Sequence, residues 1–157
     1  MSLEEKIVKE LQKKNYTITT AESCTGGLLA GRLLNVSVAS SVYNEGHITY
    51  SNDAKERLLG VSHETLATYG AVSIQTAKEM ALGAAKSAKA EVGLSTTGIA
   101  GPGGGTTEKP VGLVYVGCCL NGEVFVKEYR FHGDREKNRN DAVEAAIELL
   151  WEKLSNS

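Results

Sequence analysis

The sequence predicts an α/β fold, a three-layer α/β/α sandwich around a mixed sheet, and three observations carry that prediction. Segments with helical periodicity alternate with β-branched runs, the pattern of a sheet covered by helices on both faces. An Asn121-Gly122 pair between two strand-like runs marks a hairpin, so the sheet is mixed rather than purely parallel. A long alanine-rich helix offers a stripe of small residues suited to close packing on a sheet. At 157 residues, 41% apolar and 23% charged, the chain reads as one domain over residues 1–157, large enough to bury a core.

The elements follow in order. "LEEKIVKELQKK" places Leu3, Ile7, Val8 and Leu11 on one helical face, and Asn15 ends that helix. "TITTA" is a short buried strand. "TGGLLAGRLLN" reads as a helix from near Thr25. Each glycine in it costs about 1 kcal/mol relative to alanine, which points to a close backbone approach. "YNEGHITYS" reads as a strand. "NDAKERLLG" is a short helix with Asp53 as cap, Glu56 three residues on as in a capping box, and Gly60 as its stop. "SHETLATYG" is another, with Gly70 as stop. Ser73 then caps a helix through Ala90, with Ile74, Ala77, Ala81, Ala84, Ala85 and Ala88 as its buried stripe. "EVGLSTTG" is a strand running into the loop "GIAGPGGGTTEKP". "VGLVYVGCCL" and "EVFVKEYRF" form the hairpin. "GDREKNRNDAVEAAIELLWEKL" closes the chain as a helix with Ala142, Ala145, Ala146, Leu149, Leu150 and Leu154 inward. The order is α-β-α-β-α-α-α-β-β-β-α.

Composition narrows the function. A net charge of −2 and pI near 5.9 favour neither a nucleic-acid partner nor a membrane surface. There is no apolar run of transmembrane length, and "MSLEEKIVKEL" lacks the apolar core of a signal peptide. The odd cysteine count, Cys24, Cys118 and Cys119, without a Cys-x-x-Cys spacing, suits a reducing, cytoplasmic setting without structural disulfides. Cys118 and Cys119 are adjacent on a strand and should point to opposite faces. His47, His63 and His132 show no metal-ligand spacing, so no metal site is expected.

Chemistry concentrates in a few short stretches. In "TAESCTGG", Ser23 closes a strand just before a helix. Free N–H groups at a helix start suit an oxyanion hole beside a nucleophile, a phosphate site, or nothing more than an N-cap. No Gly-x-Ser-x-Gly elbow is present. Cys24 is a rival nucleophile, or a small buried apolar residue. In "TYSNDAK", Lys55 lies in the first turn of its helix, where the helix dipole opposes a cation by about 0.3–1 kcal/mol. One pKa unit is about 1.4 kcal/mol, so only burial could make Lys55 a neutral base. Otherwise it is a solvated lysine. Tyr50 ends the preceding strand and suits a core role equally. "GIAGPGGGT" lacks the Lys-Ser/Thr of a P-loop and fails Gly-x-Gly-x-x-Gly at Thr106. Its glycines still let backbone N–H groups approach a ligand. Arg135 and Arg139 share a face at the start of the last helix, either as an anion site or paired to Asp134 or Glu136.

"TAESCTGGLLAGRL", "TYSNDAK", "LGV", "YGAVS", "GIAGPGGGT", "KPVGLVYV" and "FHGDREKNR", in this order, resemble the CinA C-terminal domain family from about Leu3 to Leu154. These are nicotinamide-mononucleotide (NMN) amidohydrolases, also called competence/damage-inducible proteins. The resemblance implies a CinA C-terminal-like fold and a Ser/Lys amidohydrolase that converts NMN and water to nicotinic acid mononucleotide and ammonia, in pyridine nucleotide (NAD) recycling. The family's serine falls on Ser23, its lysine on Lys55 and its tyrosine on Tyr50. Cys24, Thr25, Gly26, Gly27, Gly98, Ala100, Gly101, Gly103, Gly104, Arg135 and Arg139 are then the expected oxyanion and substrate-binding positions. The phosphate belongs either at the glycine loop or at the two arginines. No cofactor or metal is implied, and the partner is a small molecule. Family habit points to a homo-oligomer, a dimer first, through the alanine-rich helix or a strand edge. Longer relatives carry an additional N-terminal molybdopterin-binding-like domain, which is not expected here. Asn44-Glu45-Gly46 departs from the Gly-Gly pair expected before "TYSN", leaving Glu45 either at the pocket mouth or in solvent. A non-catalytic nucleotide sensor and a Cys24 thiol hydrolase are the alternative readings.

Overall fold

Two parallel strands, β1 (Ile18–Glu22) and β3 (Val92–Gly98), lie side by side at the heart of the molecule. The computed structural model describes residues 1–157. Around that pair run α1 (Leu3–Lys14), α2 (Leu28–Leu34), β2 (His47–Ile48), α3 (Asn52–Leu59), α4 (His63–Tyr69), α5 (Ile74–Ala88), β4 (Leu113–Leu120), β5 (Glu123–Arg130) and α6 (Arg135–Ser155). A 3₁₀ turn at Ala39–Ser41 precedes β2. The sheet order is β2-β1-β3-β4-β5. β1 is parallel to both its neighbours, while β3, β4 and β5 pair antiparallel. The sheet is therefore mixed, as predicted.

Strand alternation divides the interior into two cores. Ile18, Val92, Leu94, Val116 and Cys118 meet α1, α2 and α6 on one face. On the other, Ala21 packs with Leu59, Leu66, Met80 and Ala84 of α3, α4 and α5. Cys119 joins Ala81 and Ala85, so the adjacent cysteines do face opposite sides. The inward stripe predicted for α6 is buried throughout. The hairpin turn has φ of 50° at Asn121 and 87° at Gly122, the left-handed pair that a two-residue type I′ connection requires.

Several boundaries differ from expectation. α2 begins at Leu28 rather than near Thr25, because Gly26 and Gly27 sit at φ of 54° and 105°, outside the helical region. β2 is two residues long, confined to where it pairs with Ala21 and Glu22. α3 is capped by Ser51, whose Oγ accepts from the Ala54 N–H at 3.1 Å; Asp53 lies inside the first turn. α5 ends at Ala88, since Lys89 turns left-handed. Ile74, at its first position, is exposed, and Ala88 is only half-buried. Thr76 and Met80 complete the stripe instead.

Candidate active site

Alternation along β1 sends Glu22 toward α2 and Ser23 toward α3. The Ser23 N–H donates to Thr96 O at 3.0 Å, extending the β1–β3 ladder by one residue. Beyond it, the Thr49 N–H donates to Glu22 O at 2.8 Å, which sets the start of α3 beside the end of β1. Lys55 thereby reaches back under the strand end. Its side chain is 1% exposed, so it is not the solvated lysine of the alternative reading. Nζ lies 3.0 Å from Ser23 Oγ, 2.8 Å from Thr49 O and 3.4 Å from Tyr50 O. Burial lowers its pKa to about 8.

Nζ donates to three acceptors, Ser23 Oγ and the two carbonyls, which matches the three N–H groups of an ammonium. Once the amine loses a proton, the carbonyls can keep its two N–H groups and its lone pair is free to take up the Ser23 hydroxyl proton. Ser23 Oγ bonds to Lys55. Cys24 is buried and its thiol is pushed up to about 11 by that burial, which removes the thiolate a thiol hydrolase needs.

Ser23 and Lys55 open into a cavity of about 180 Å³ lined by Cys24, Tyr50, Ala71, Val72, Thr97, Gly98, Ala100 and Arg135 as well. Its charged groups are Lys55 and Arg135, with no carboxylate. A larger, shallower cleft of about 570 Å³ runs between α2 and α6. It holds no nucleophile and base together, and its Arg32 is tied to Glu4 and Glu144. Chemistry, not size, selects the smaller cavity. No three histidine, cysteine or acidic side chains converge as metal ligands.

The other sequence-derived positions divide. Cys24, Gly98, Ala100 and Arg135 line the cavity with the pair. Tyr50 does too, yet its ring is exposed, its hydroxyl accepts from Arg135 Nη2 at 3.2 Å, and only its carbonyl faces Lys55. Arg135 Nη1 donates to Gly101 O at 2.8 Å. Arg139 is turned to the backbone: Nε donates to Cys24 O at 2.9 Å and Nη2 to Thr25 O at 3.2 Å. Both arginines thus bond carbonyls and a phenol rather than Asp134 or Glu136. Asp134 instead caps α6. Thr25 is buried beneath the turn, Gly26 lies under Arg139, and Gly27 caps α2, all three outside the cavity. Gly101 is buried, while Gly103 and Gly104 are exposed on the outer loop. Glu45 faces solvent, and its carbonyl accepts from Thr19 Oγ1.

The expected free N–H groups at the α2 start are not free: Glu22 takes those of Leu29 and Ala30. The Cys24 N–H, by contrast, donates to no backbone carbonyl. Sequence reasoning missed Thr97, Ala71, Val72 and Asn138. Thr97 Oγ1 holds the Ala71 carbonyl at 2.8 Å, and strand alternation from Ser95 could have placed it. Asn138 is buried in the first turn of α6 and donates to Ala100 O at 3.0 Å, pinning the glycine loop. It lies three residues from Arg135, on the same helical face. Ala71 and Val72 carry no chemical signal.

A family model described as the CinA C-terminal domain matches residues 1–154. The chain is 56% identical over 155 residues to a competence-damage inducible protein of Clostridium acetobutylicum, covering 99% of this chain and 38% of that protein. It is 57% identical over 148 residues to one from a Thermoanaerobacter species, covering 94% and 36%. The chain thus spans less than two fifths of the length of these curated relatives. Among solved structures, a competence/damage inducible protein of Agrobacterium tumefaciens superposes with a TM-score of 0.93 at 45% identity, covering 98% of this chain and 93% of that one. A CinA superfamily protein of Klebsiella pneumoniae superposes with a TM-score of 0.94 at 35% identity over the whole of both chains.

Proposed function

The chain belongs to the CinA C-terminal domain family, and from that membership and the site's geometry we propose that it is a Ser/Lys amidohydrolase that deamidates NMN. The observation that carries the reading is the buried Lys55 amine, 3.0 Å from Ser23 Oγ, with its pKa lowered to about 8 and two carbonyls holding its N–H groups. A base near its working pH beside an otherwise unactivated hydroxyl is the arrangement that makes serine a nucleophile.

The proposed reaction runs in two halves. Ser23 Oγ attacks the carboxamide carbon while its proton passes to Lys55 Nζ. The direct route is favoured over one through Tyr50, whose hydroxyl is engaged by Arg135. Cys24 lines the cavity and its N–H is uncommitted to a carbonyl, so that N–H is the donor we assign to the oxyanion. Lys55 returns its proton to the departing nitrogen, and the C–N bond breaks to give ammonia and an acyl-Ser23. Water then attacks the acyl carbon and gives its proton to Lys55. Ser23 leaves with that proton, and nicotinic acid mononucleotide is the product. The substrate's pyridinium charge draws electrons from the carboxamide and disfavours an ammonium at Lys55.

A cavity of about 180 Å³ is below the roughly 300 Å³ of sites that enclose a drug-sized ligand. In this reading the pyridinium carboxamide enters, and ribose and phosphate lie at the mouth, by Arg135. The test is ammonia release from NMN, nicotinamide and nicotinamide riboside, each at several concentrations. Turnover of NMN that disappears in Ser23→Ala and in Lys55→Ala, with both variants folded, supports the reading. A folded Ser23→Ala variant with full activity would sink it.

A further inference from the structure

Glu22 is the one fully buried acid beside the nucleophile, and the reaction above gives it no part. Its carboxylate has no cationic partner in contact. Instead Oε1 accepts from Thr25 Oγ1 at 2.5 Å and from the Leu29 N–H at 2.8 Å, and Oε2 accepts from the Ala30 N–H at 3.0 Å. The N-cap position of α2 is Gly27, which has no side chain to offer, so the carboxylate arriving from the end of β1 does the capping. Thr25 Oγ1 also lies 2.7 Å from Thr96 Oγ1. A hydroxyl has one proton, and Thr25 has given its own to Glu22, so Thr96 must donate to Thr25. The chain of bonds therefore has one direction, Thr96 to Thr25 to Glu22. Thr96 is the register partner of Glu22, and its carbonyl accepts the Ser23 N–H.

The geometry points to Glu22 as a positioning residue for Ser23, acting through Thr25 and Thr96 to fix the Ser23–Gly27 turn. Three consequences follow from the bonds themselves. The turn is tied to β3 on the face opposite Lys55, so it cannot rotate without breaking buried bonds. The Thr25 and Thr96 hydroxyls are committed to each other and to Glu22, which leaves Lys55 as the side-chain partner of the Ser23 hydroxyl. The Cys24 N–H keeps its direction because the residues on either side of it, Glu22–Ser23 and Thr25, are both held. The carboxylate is needed for this because a neutral amide would bring its own N–H group against a backbone N–H.

The inference rests on Ser23 being a nucleophile, and the test separates the two ideas. Glu22→Gln, Thr25→Val and Thr25→Ser are compared with the unchanged chain, with folding followed by circular dichroism. Two rates are read: kcat and KM for NMN, and the second-order rate at which a fluorophosphonate labels Ser23, where the serine oxygen displaces fluoride from phosphorus. The expected result is a loss of about tenfold to a hundredfold in kcat and in labelling for Glu22→Gln and Thr25→Val. KM and the pH midpoint should stay in place, and Thr25→Ser should keep most of the rate. A merely structural role would lower activity only in proportion to the folded fraction. If Glu22→Gln does not fold, Thr25→Val decides. Folded variants with unchanged kcat and labelling overturn the inference. If the unchanged chain is labelled at Ser23 but does not hydrolyse NMN, the substrate reading fails and the labelling rates still decide on Glu22. Absence of both in the unchanged chain overturns both.

Discussion

Lys55 shows how one residue carries opposite demands from stability and function. Its amine is almost wholly enclosed at the wall of the cavity, where two carbonyls and a hydroxyl are its contacts. Burial disfavours the ammonium, so the folded pKa falls to about 8 from an ordinary 10.5. The sign of the linkage follows. Between those values the unfolded chain holds a proton that the folded chain has released, so stability from this residue rises with pH across that window. We expect the difference in unfolding free energy between the unchanged chain and Lys55→Met to move by about 1–2 kcal/mol toward the unchanged chain from pH 7 to 9.5, measured by urea denaturation. Activity should follow the same proton: kcat/KM for NMN should climb with pH through a midpoint near that of Lys55. A midpoint near the value of a free lysine, or a flat stability difference, would show that the amine is not desolvated. Sequence alone could name the requirement for burial but not meet it, because enclosure depends on β2 pairing with Glu22 and on the short capped turn into α3.

At the scale of elements, glycine shows what pattern reading can and cannot resolve. Gly31 lies inside α2 and Gly83 inside α5, and both look like defects in a helix. A Cβ at Gly31 would meet nothing within 4 Å, whereas one at Gly83 would run into the backbone carbonyl of Leu59 at the end of α3. Gly31→Ala should therefore stabilise the protein by about 0.5–1 kcal/mol, the ordinary helix-propensity gain. Gly83→Ala should destabilise it by roughly 1–3 kcal/mol, because α3 must move off α5. Thermal denaturation of the two variants checks the pair, and a shift of the same sign in both would refute the packing account. The same contrast explains the legible part of the fold. Caps at Ser73, Gly60 and Asn15, the Asn121-Gly122 turn and the inward face of α6 are local, and the sequence displays them. The start of α2 and the length of β2 are set by tertiary contacts: two left-handed glycines under Arg139 and Ile48, and pairing to the end of β1. Ser23 and Lys55 were legible through their motifs. Ala71, Val72 and Thr97 join them only because α5, β3 and α3 converge, and no local pattern announces that.

Across the whole molecule, the candidate site exists only because the last helix returns to the first strand. Its walls come from the end of β1, the β2–α3 turn, the segment before α5, the end of β3 and the start of α6. Arg139 holds the carbonyls of Cys24 and Thr25, Asn138 holds that of Ala100, and Arg135 bridges Gly101 and Tyr50. The two arginines, equivalent in sequence, thus divide their work. Arg139 is spent on the backbone of the turn, and Arg135 is the cation left at the cavity mouth. A ligand that reads this assembly binds the folded chain alone and so raises its melting temperature by mass action. In Ser23→Ala, which lacks the proposed nucleophile, NMN at about a hundred times its Kd should raise Tm by roughly 5–10 °C. Adding Arg135→Gln removes the charge that we propose faces the phosphate and should cost about tenfold in affinity, or roughly 3–5 °C of that shift. Nicotinamide riboside, lacking the phosphate, should lose nothing from the same change. Differential scanning fluorimetry with both ligands decides it. If Arg135→Gln lowers the two shifts equally, the arginine supports the cavity wall rather than the phosphate. If it lowers neither, the phosphate is read elsewhere, and the backbone N–H groups of the glycine loop become the site to mutate next.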